Sequence, residues 1–126
     1  MNNQLYISET HEWVKIVNNT AIIGITDFAQ KELGDIVFLE IIKKNNEKVK
    51  SKEIISTIES VKAVSDIYSP VSGTIIEINK KVLDQPDLIN TSPFENGWIL
   101  KIELIDKSEL NHLLSESEYK KLISEE

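Results

Sequence analysis

The stretch Ile58-Glu59-Ser60-Val61-Lys62-Ala63-Val64-Ser65-Asp66-Ile67-Tyr68-Ser69-Pro70-Val71-Ser72-Gly73 decides how the chain reads. Two runs of strand-forming residues flank a lysine, and a proline and a glycine close the second run. Pairing the runs as a hairpin sets Lys62 at or near the tip, where its ammonium is exposed and held by the turn. A modifying enzyme can acylate an amine so placed without disturbing a core. Taken alone, a turn lysine is ordinarily a solubilising charge, so the placement by itself leaves both readings open.

The same β signature continues on both sides. Ala21-Ile22-Ile23-Gly24-Ile25 and Thr74-Ile75-Ile76-Glu77-Ile78 are β-branched runs. The breaks between such runs fall every eight to twelve residues or so, the spacing of a sandwich or barrel. Gly34-Asp35-Ile36-Val37-Phe38-Leu39-Glu40-Ile41 resembles Gly73-Thr74-Ile75-Ile76-Glu77-Ile78, displaced by the interval from Gly34 to Gly73. Each copy leads through a lysine-bearing polar stretch (Lys43-Lys44, Lys80-Lys81) to a second strand, Ile54–Glu59 or Trp98–Glu103. Two such units can close a flattened barrel with pseudo-twofold symmetry. The lysine-rich segment from Lys43 to Lys52 reads as a solvated hairpin tip.

Helices are few. Thr26 can cap a turn from Asp27 to Leu33 that Gly34 stops. Asp106 or Ser108 can start a helix through Leu114, and Ser115 with Glu118 forms a capping box for Tyr119 to Ile123. Leu110, Leu113, Leu114, Leu122 and Ile123 supply a stripe to pack on the strands.

Composition narrows the function. The 126 residues fit one domain, 1–126. Hydrophobic residues are 40% and charged residues 28%, as in a chain that folds alone. Without cysteine, disulfides, thiolate metal sites and cysteine nucleophiles are excluded. A net charge of −7 repels phosphate backbones, so no nucleic-acid partner is expected. No apolar run approaches the roughly 20 residues of a membrane helix, and no membrane partner is expected. The opening Met1-Asn2-Asn3-Gln4-Leu5 has no basic or apolar leader, so a bacterial-type cytoplasmic location is expected. His11 and His112 lack metal-ligand or catalytic spacing, the Walker and dinucleotide glycine patterns are missing, and no catalytic or metal-ligating residue is assigned. His11 reads as an exposed or edge-packed histidine.

Across nearly the whole chain the residues resemble the glycine cleavage system H protein family of lipoyl carriers. Glu59-Ser60-Val61-Lys62-Ala63-Val64-Ser65-Asp66 with Tyr68-Ser69-Pro70-Val71-Ser72-Gly73 resembles its lipoyl-lysine hairpin. His11-Glu12-Trp13-Val14 is similar to its N-terminal signature. Gly24–Gln30 and Leu33–Glu40 are similar to its helix-and-strand block. Leu88-Ile89-Asn90, Ser92-Pro93-Phe94 and Gly97-Trp98 match its late segment, and Glu118-Tyr119-Lys120-Lys121-Leu122 its terminal helix. The order of the blocks is the family's order.

The resemblance implies a mainly β barrel-sandwich hybrid of two small antiparallel sheets with a few short helices, one of them C-terminal. It implies a carrier rather than an enzyme. It also implies that Lys62 carries lipoate through an amide, which removes the lysine charge. The sulfur chemistry then belongs to the cofactor. The arm takes an aminomethyl group from the pyridoxal-phosphate enzyme glycine decarboxylase and delivers it to the tetrahydrofolate-dependent aminomethyltransferase. Dihydrolipoyl dehydrogenase reoxidises it. Glu59, Ser60, Val61 and Ala63 are expected to shape the turn that lipoate-attaching enzymes read. Glu12 and Asp66 are the candidates to hold the ammonium of the loaded arm in a cleft. A monomer is expected.

There are departures from the family pattern. Lys43-Lys44-Asn45-Asn46 occupies a turn where relatives often have Pro and Gly, and Ser51 stands where Gly is common. Glu32 stands where some relatives place a histidine beside the arm cleft. Two other carriers compete with the standard shuttle. A biotinyl carrier domain shares the architecture, but its lysine is usually bracketed by methionines where this chain has Val61 and Ala63. An H-like lipoate donor or relay protein would keep the arm and change its clients. A structural interaction module would leave Lys62 unmodified.

Overall fold

The computed structural model describes residues 4–124. Among the described residues nine strands run β1 (Gln4–Ile7), β2 (Glu12–Val17), β3 (Thr20–Ile25), β4 (Ile36–Ile41), β5 (Lys48–Val49), β6 (Ile54–Ser60), β7 (Val64–Tyr68), β8 (Gly73–Ile78) and β9 (Leu100–Leu104). The helices are α1 (Asp27–Leu33), α2 (Lys80–Asp84), α3 (Leu88–Thr91) and α4 (Glu116–Ser124), with a 3-10 helix over Lys107–His112. All strand pairs are antiparallel, in a six-stranded sheet ordered β1-β2-β3-β9-β8-β5 and a three-stranded sheet ordered β4-β6-β7.

The two sheets close over one apolar core. Val14, Ile23 and Ile102 from the large sheet share it with Leu39, Ile58 and Ile67 from the small one. The architecture is mainly β, as the β-branched runs predict, with the two antiparallel sheets that the family resemblance implies and α4 as the C-terminal helix. A second cluster of Ile7, Trp13 and Tyr119 joins α4 to the edge of the large sheet.

The repeat is real in three dimensions. Its copies form the pairs β4·β6 and β8·β9, one in each sheet. Both pairs carry a bulge at the same place in the repeat. Ile36 pairs with Ser60 and Phe38 with Glu59, leaving Val37 as the extra residue. Ile75 pairs with Ile102 and Glu77 with Lys101, leaving Ile76 extra. A bulge lets consecutive side chains stay outside, which is why Val37 and Ile76 are exposed within otherwise apolar runs.

Short-range chemistry sets the helices. The Thr26 hydroxyl accepts from the Ala29 N–H, and the Gly34 N–H donates to Gln30 O at a φ of 82°. In α4 the Glu118 N–H donates to Ser115 Oγ, and Glu118 Oε1 accepts from the Ser115 N–H at 2.8 Å. The helix begins earlier than the sequence reading placed it, at Glu116. Thr26 also hydrogen-bonds Tyr119 Oη at 2.8 Å, tying the start of α1 to α4. Thr26→Ala removes the cap and the buried hydrogen bond from α1 to the Tyr119 phenol. Chemical denaturation should show a loss of about 2 kcal/mol; a loss under about 0.5 kcal/mol would deny the cap its structural role.

Two local expectations are corrected. The segment from Lys43 to Lys52 is not a hairpin tip: β5 lies within it and crosses to pair with β8 in the other sheet, burying Val49. Val49 is a single apolar residue among polar ones, so no periodicity marks it. The helix expected to run to Leu114 is a 3-10 helix ending at His112. Leu114 instead exchanges two backbone hydrogen bonds with Ile7, 2.9 and 2.7 Å long, which requires extended backbone. The polar stretch at Lys80 and Lys81 is exposed as expected and forms the start of helix α2.

Candidate functional site

The β6–β7 hairpin projects from the three-stranded sheet with Val61, Lys62 and Ala63 at its tip, all exposed. Ser60 is the knot that holds the tip. Its N–H donates to Ala63 O at 2.8 Å, and its Oγ accepts from the N–H groups of Ala63 at 3.0 Å and Lys62 at 3.3 Å. The Val61 N–H donates to Asp35 O at 3.0 Å, pinning the tip to the loop before β4. The hairpin lysine therefore stands on a braced backbone although its neighbours are exposed.

The Lys62 stem lies along Gly34. A Cβ built at Gly34 would stand 3.5 Å from Lys62 Cε. Gly34 thus has two uses: its positive φ ends α1, and its bare Cα leaves room for the lysine chain. None of the ion pairs among the described residues engages Lys62. Its amine is exposed and can accept an acyl group.

On β7, Val64, Asp66 and Tyr68 alternate onto one face. At about 3.4 Å per residue, Asp66 lies about 14 Å and Tyr68 about 20 Å along the strand from Lys62. Beyond them opens a cavity of about 710 Å³ whose lining includes Thr10, Glu12, Lys52, Tyr68, Glu109 and His112. The structure places Glu12 in that lining and Asp66 outside it, on the exposed sheet face, where its carboxylate accepts from Thr57 Oγ1 at 3.4 Å. Glu59 is also exposed on that face.

Glu12 is almost fully buried, with an exposure of 1%. Its carboxylate accepts from the Ser8 hydroxyl at 2.5 Å, from the Thr10 hydroxyl and from the Tyr68 N–H at 3.1 Å. Burial pushes its carboxyl above the ordinary glutamate value of 4.5, while the hydrogen bonds from Ser8, Thr10 and Tyr68 pull it down. A buried acid of raised pKa binds its proton more tightly in the folded chain. The resulting stability is complete below about pH 4.5 and is lost as pH rises through the higher folded value. Glu12→Gln cannot titrate, so its stability should improve relative to wild type between pH 4 and pH 7. Denaturant midpoints for both proteins test this; a pH-independent difference would remove Glu12 from the linkage.

Several features were invisible in the sequence reading. His11 is part-buried and packs against two helices: it turns at a φ of 74°, its Nδ1 lies 2.7 Å from Tyr119 Oη, and its ring centroid lies 5.1 Å from that of Phe28. Glu109 seals one cavity wall by accepting from the Ser72 N–H and Ser72 Oγ, both at 2.7 Å. Partners more than 30 residues apart leave no local pattern. In the turns expected to depart from the family pattern, the left-handed residues are Asn46 and Lys52; Ser51 is not one of them. Glu32 is exposed on α1. Among the described residues no group of His, Asp or Glu could hold a metal ion, and no helix is long and apolar enough to cross a membrane.

The model of the Glycine cleavage H-protein family matches residues 5–126. The chain belongs to that family. It is 48% identical over 122 residues to the glycine cleavage system H protein of Carboxydothermus hydrogenoformans, covering 97% of this chain and 93% of that one. With the glycine cleavage system H protein of Halalkalibacterium halodurans it shares 48% over 124 residues, 98% of this chain and 96% of the other. The crystal structure of a glycine cleavage system H protein from Mycobacterium marinum superposes with a TM-score of 0.88 at 31% identity, covering 98% of this chain and 99% of that one. Membership makes the chain a carrier component of the glycine cleavage system, in a family that carries lipoate.

Proposed function

We propose that this H protein is the lipoyl-bearing shuttle of glycine cleavage and that Lys62 is its attachment residue. The braced, solvent-facing tip, whose amine joins none of the ion pairs among the described residues, carries the reading. When bound, lipoate supplies a dithiolane that takes up the aminomethyl group from glycine decarboxylase, yields it to the aminomethyltransferase and is reoxidised by dihydrolipoyl dehydrogenase.

This chain's own residues do the positioning. Ser60 and Asp35 hold the turn rigid, so an attaching enzyme meets one conformation and spends little ordering it. Gly34 seats the lysine stem. The face of β7 offers a track from Lys62 past Asp66 toward the cavity at Tyr68. Asp66, being exposed and charged, is the group to meet an ammonium along that track. Glu12, buried and fully hydrogen-bonded, shapes the cavity wall and holds Ser8, Thr10 and Tyr68 in place. Tethering keeps the arm at high local concentration in each docked enzyme. Glu59, Val61 and Ala63 surround the amine where an attaching enzyme must come close. The chain acts as a monomeric carrier and not as a catalyst.

The experiment is intact-mass measurement of the protein from its native host, with sequencing of the modified peptide. One lipoyl increment on Lys62 is expected. A biotin increment would assign the chain to carboxylases, and an unmodified Lys62 in cells that lipoylate other proteins would overturn the reading.

A further inference from the structure

Phe38, Glu59 and Val64 form one cross-strand row: Phe38 pairs with Glu59 and Glu59 with Val64. Directly paired residues project from the same face of a sheet, and this face looks outward. Phe38 is 54% exposed, Val64 67% and the adjoining Val61 68%. Together they place three exposed apolar side chains around Glu59 close to Lys62, more than the single scattered apolar residues that any surface carries.

The internal repeat supplies the comparison. In the copy remote from Lys62, the position of Phe38 is held by Glu77, which pairs in register with Lys101 and forms an ion pair with it at 3.1 Å. The local geometry, bulge included, is the same in both copies. An ion pair therefore suits this site, and the copy beside Lys62 replaces it with an exposed phenylalanine. That replacement also leaves Glu59 outside every ion pair among the described residues. In the next row of the same face, Glu40 pairs with Thr57 and Thr57 with Asp66, adding two exposed carboxylates. The face carries apolar side chains around one carboxylate near the lysine and two further carboxylates behind them.

We propose that the Phe38–Glu59–Val64 row, with Val61, is the surface by which the enzyme that acylates Lys62 grips this protein. The matching surface on that enzyme is an apolar recess bordered by cationic side chains. The inference rests on Lys62 being the attachment residue. Reach selects this occupant. An enzyme reacting at the Lys62 amine must cover the residues touching the hairpin tip, whereas enzymes that use the far end of the arm act a dozen or so ångströms away, on the scale of four strand residues.

The test is steady-state lipoylation of the unmodified full chain by a lipoate-attaching enzyme, followed by intact mass. It compares wild type, Phe38→Ser/Val64→Ser and a control, Val17→Ser, at an exposed valine on β2. The double variant should raise KM for the carrier at least tenfold with kcat within twofold, the control should match wild type, and all thermal midpoints should agree. Once loaded at high carrier concentration, the double variant should be reduced by dihydrolipoyl dehydrogenase at the wild-type rate. A KM within twofold of wild type overturns the docking surface. Equal losses in attachment and reduction overturn the choice of occupant. If wild type itself accepts no lipoyl group, the attachment reading fails, and this inference with it.

Discussion

Lys62→Arg should fold as wild type does and accept no lipoyl group. The side chain is exposed, joins none of the ion pairs among the described residues and extends over Gly34, so a second long cationic chain fits without repacking. Surface changes of this kind shift stability by no more than about 0.5 kcal/mol, so the thermal midpoint should stay within about 2 °C. A guanidinium keeps its proton at any workable pH and is no acyl acceptor. The mass increment should vanish, and glycine cleavage reconstituted with this carrier should fall to the level seen without it. An increment surviving in the variant would place the attachment elsewhere.

The second large effect falls on the scaffold. Gly73 starts β8 between Val49 of β5 and Leu104 of β9, and nothing about its φ demands glycine. Space does. A Cβ there would stand 2.0 Å from the Glu103 carbonyl oxygen and 2.4 Å from Ile102 Cγ2. A carbonyl in a sheet cannot swing aside as a side-chain end can, so Gly73→Ala must separate β8 from β9. We expect a loss of about 3 kcal/mol, the upper part of the range for overpacking, and a thermal midpoint lower by roughly 10 °C. At a temperature where the variant remains folded, Lys62 should still be acylated, because the hairpin lies in the other sheet. A drop of less than about 3 °C would contradict the close approach of β9.

These two residues also mark the boundary between what was legible in the chain and what was not. Lys62 was readable because a hairpin is a local object: two β-branched runs, a serine able to tie the turn and a lysine between them. Gly73 was readable only as punctuation at the end of a run, since the carbonyl that excludes a side chain comes from Glu103, 30 residues away. The same contrast separates Thr26 and Ser115, whose capping bonds span three residues, from β5, whose only buried residue, Val49, is placed by its partners on β8. It separates the repeat, visible as a displaced apolar pattern, from its bulges, which exist only once register is formed.

Sequence alone determined the mainly β character, the capped helices, the hairpin with Lys62 at or near its tip and, through motif order, the family with the two-sheet arrangement it implies. The first three depend on side-chain chemistry over a few neighbours or on β-branched runs along a strand. Tertiary structure decided that Glu12 is buried beneath Tyr68 while Asp66 stays exposed. It also decided that Glu109 seals the cavity, and that Phe38 joins Glu59 and Val64 in one outward row. Burial and cross-strand neighbours are properties of pairs distant in the chain. Their energies arise only when the sheets close and water leaves the space between them.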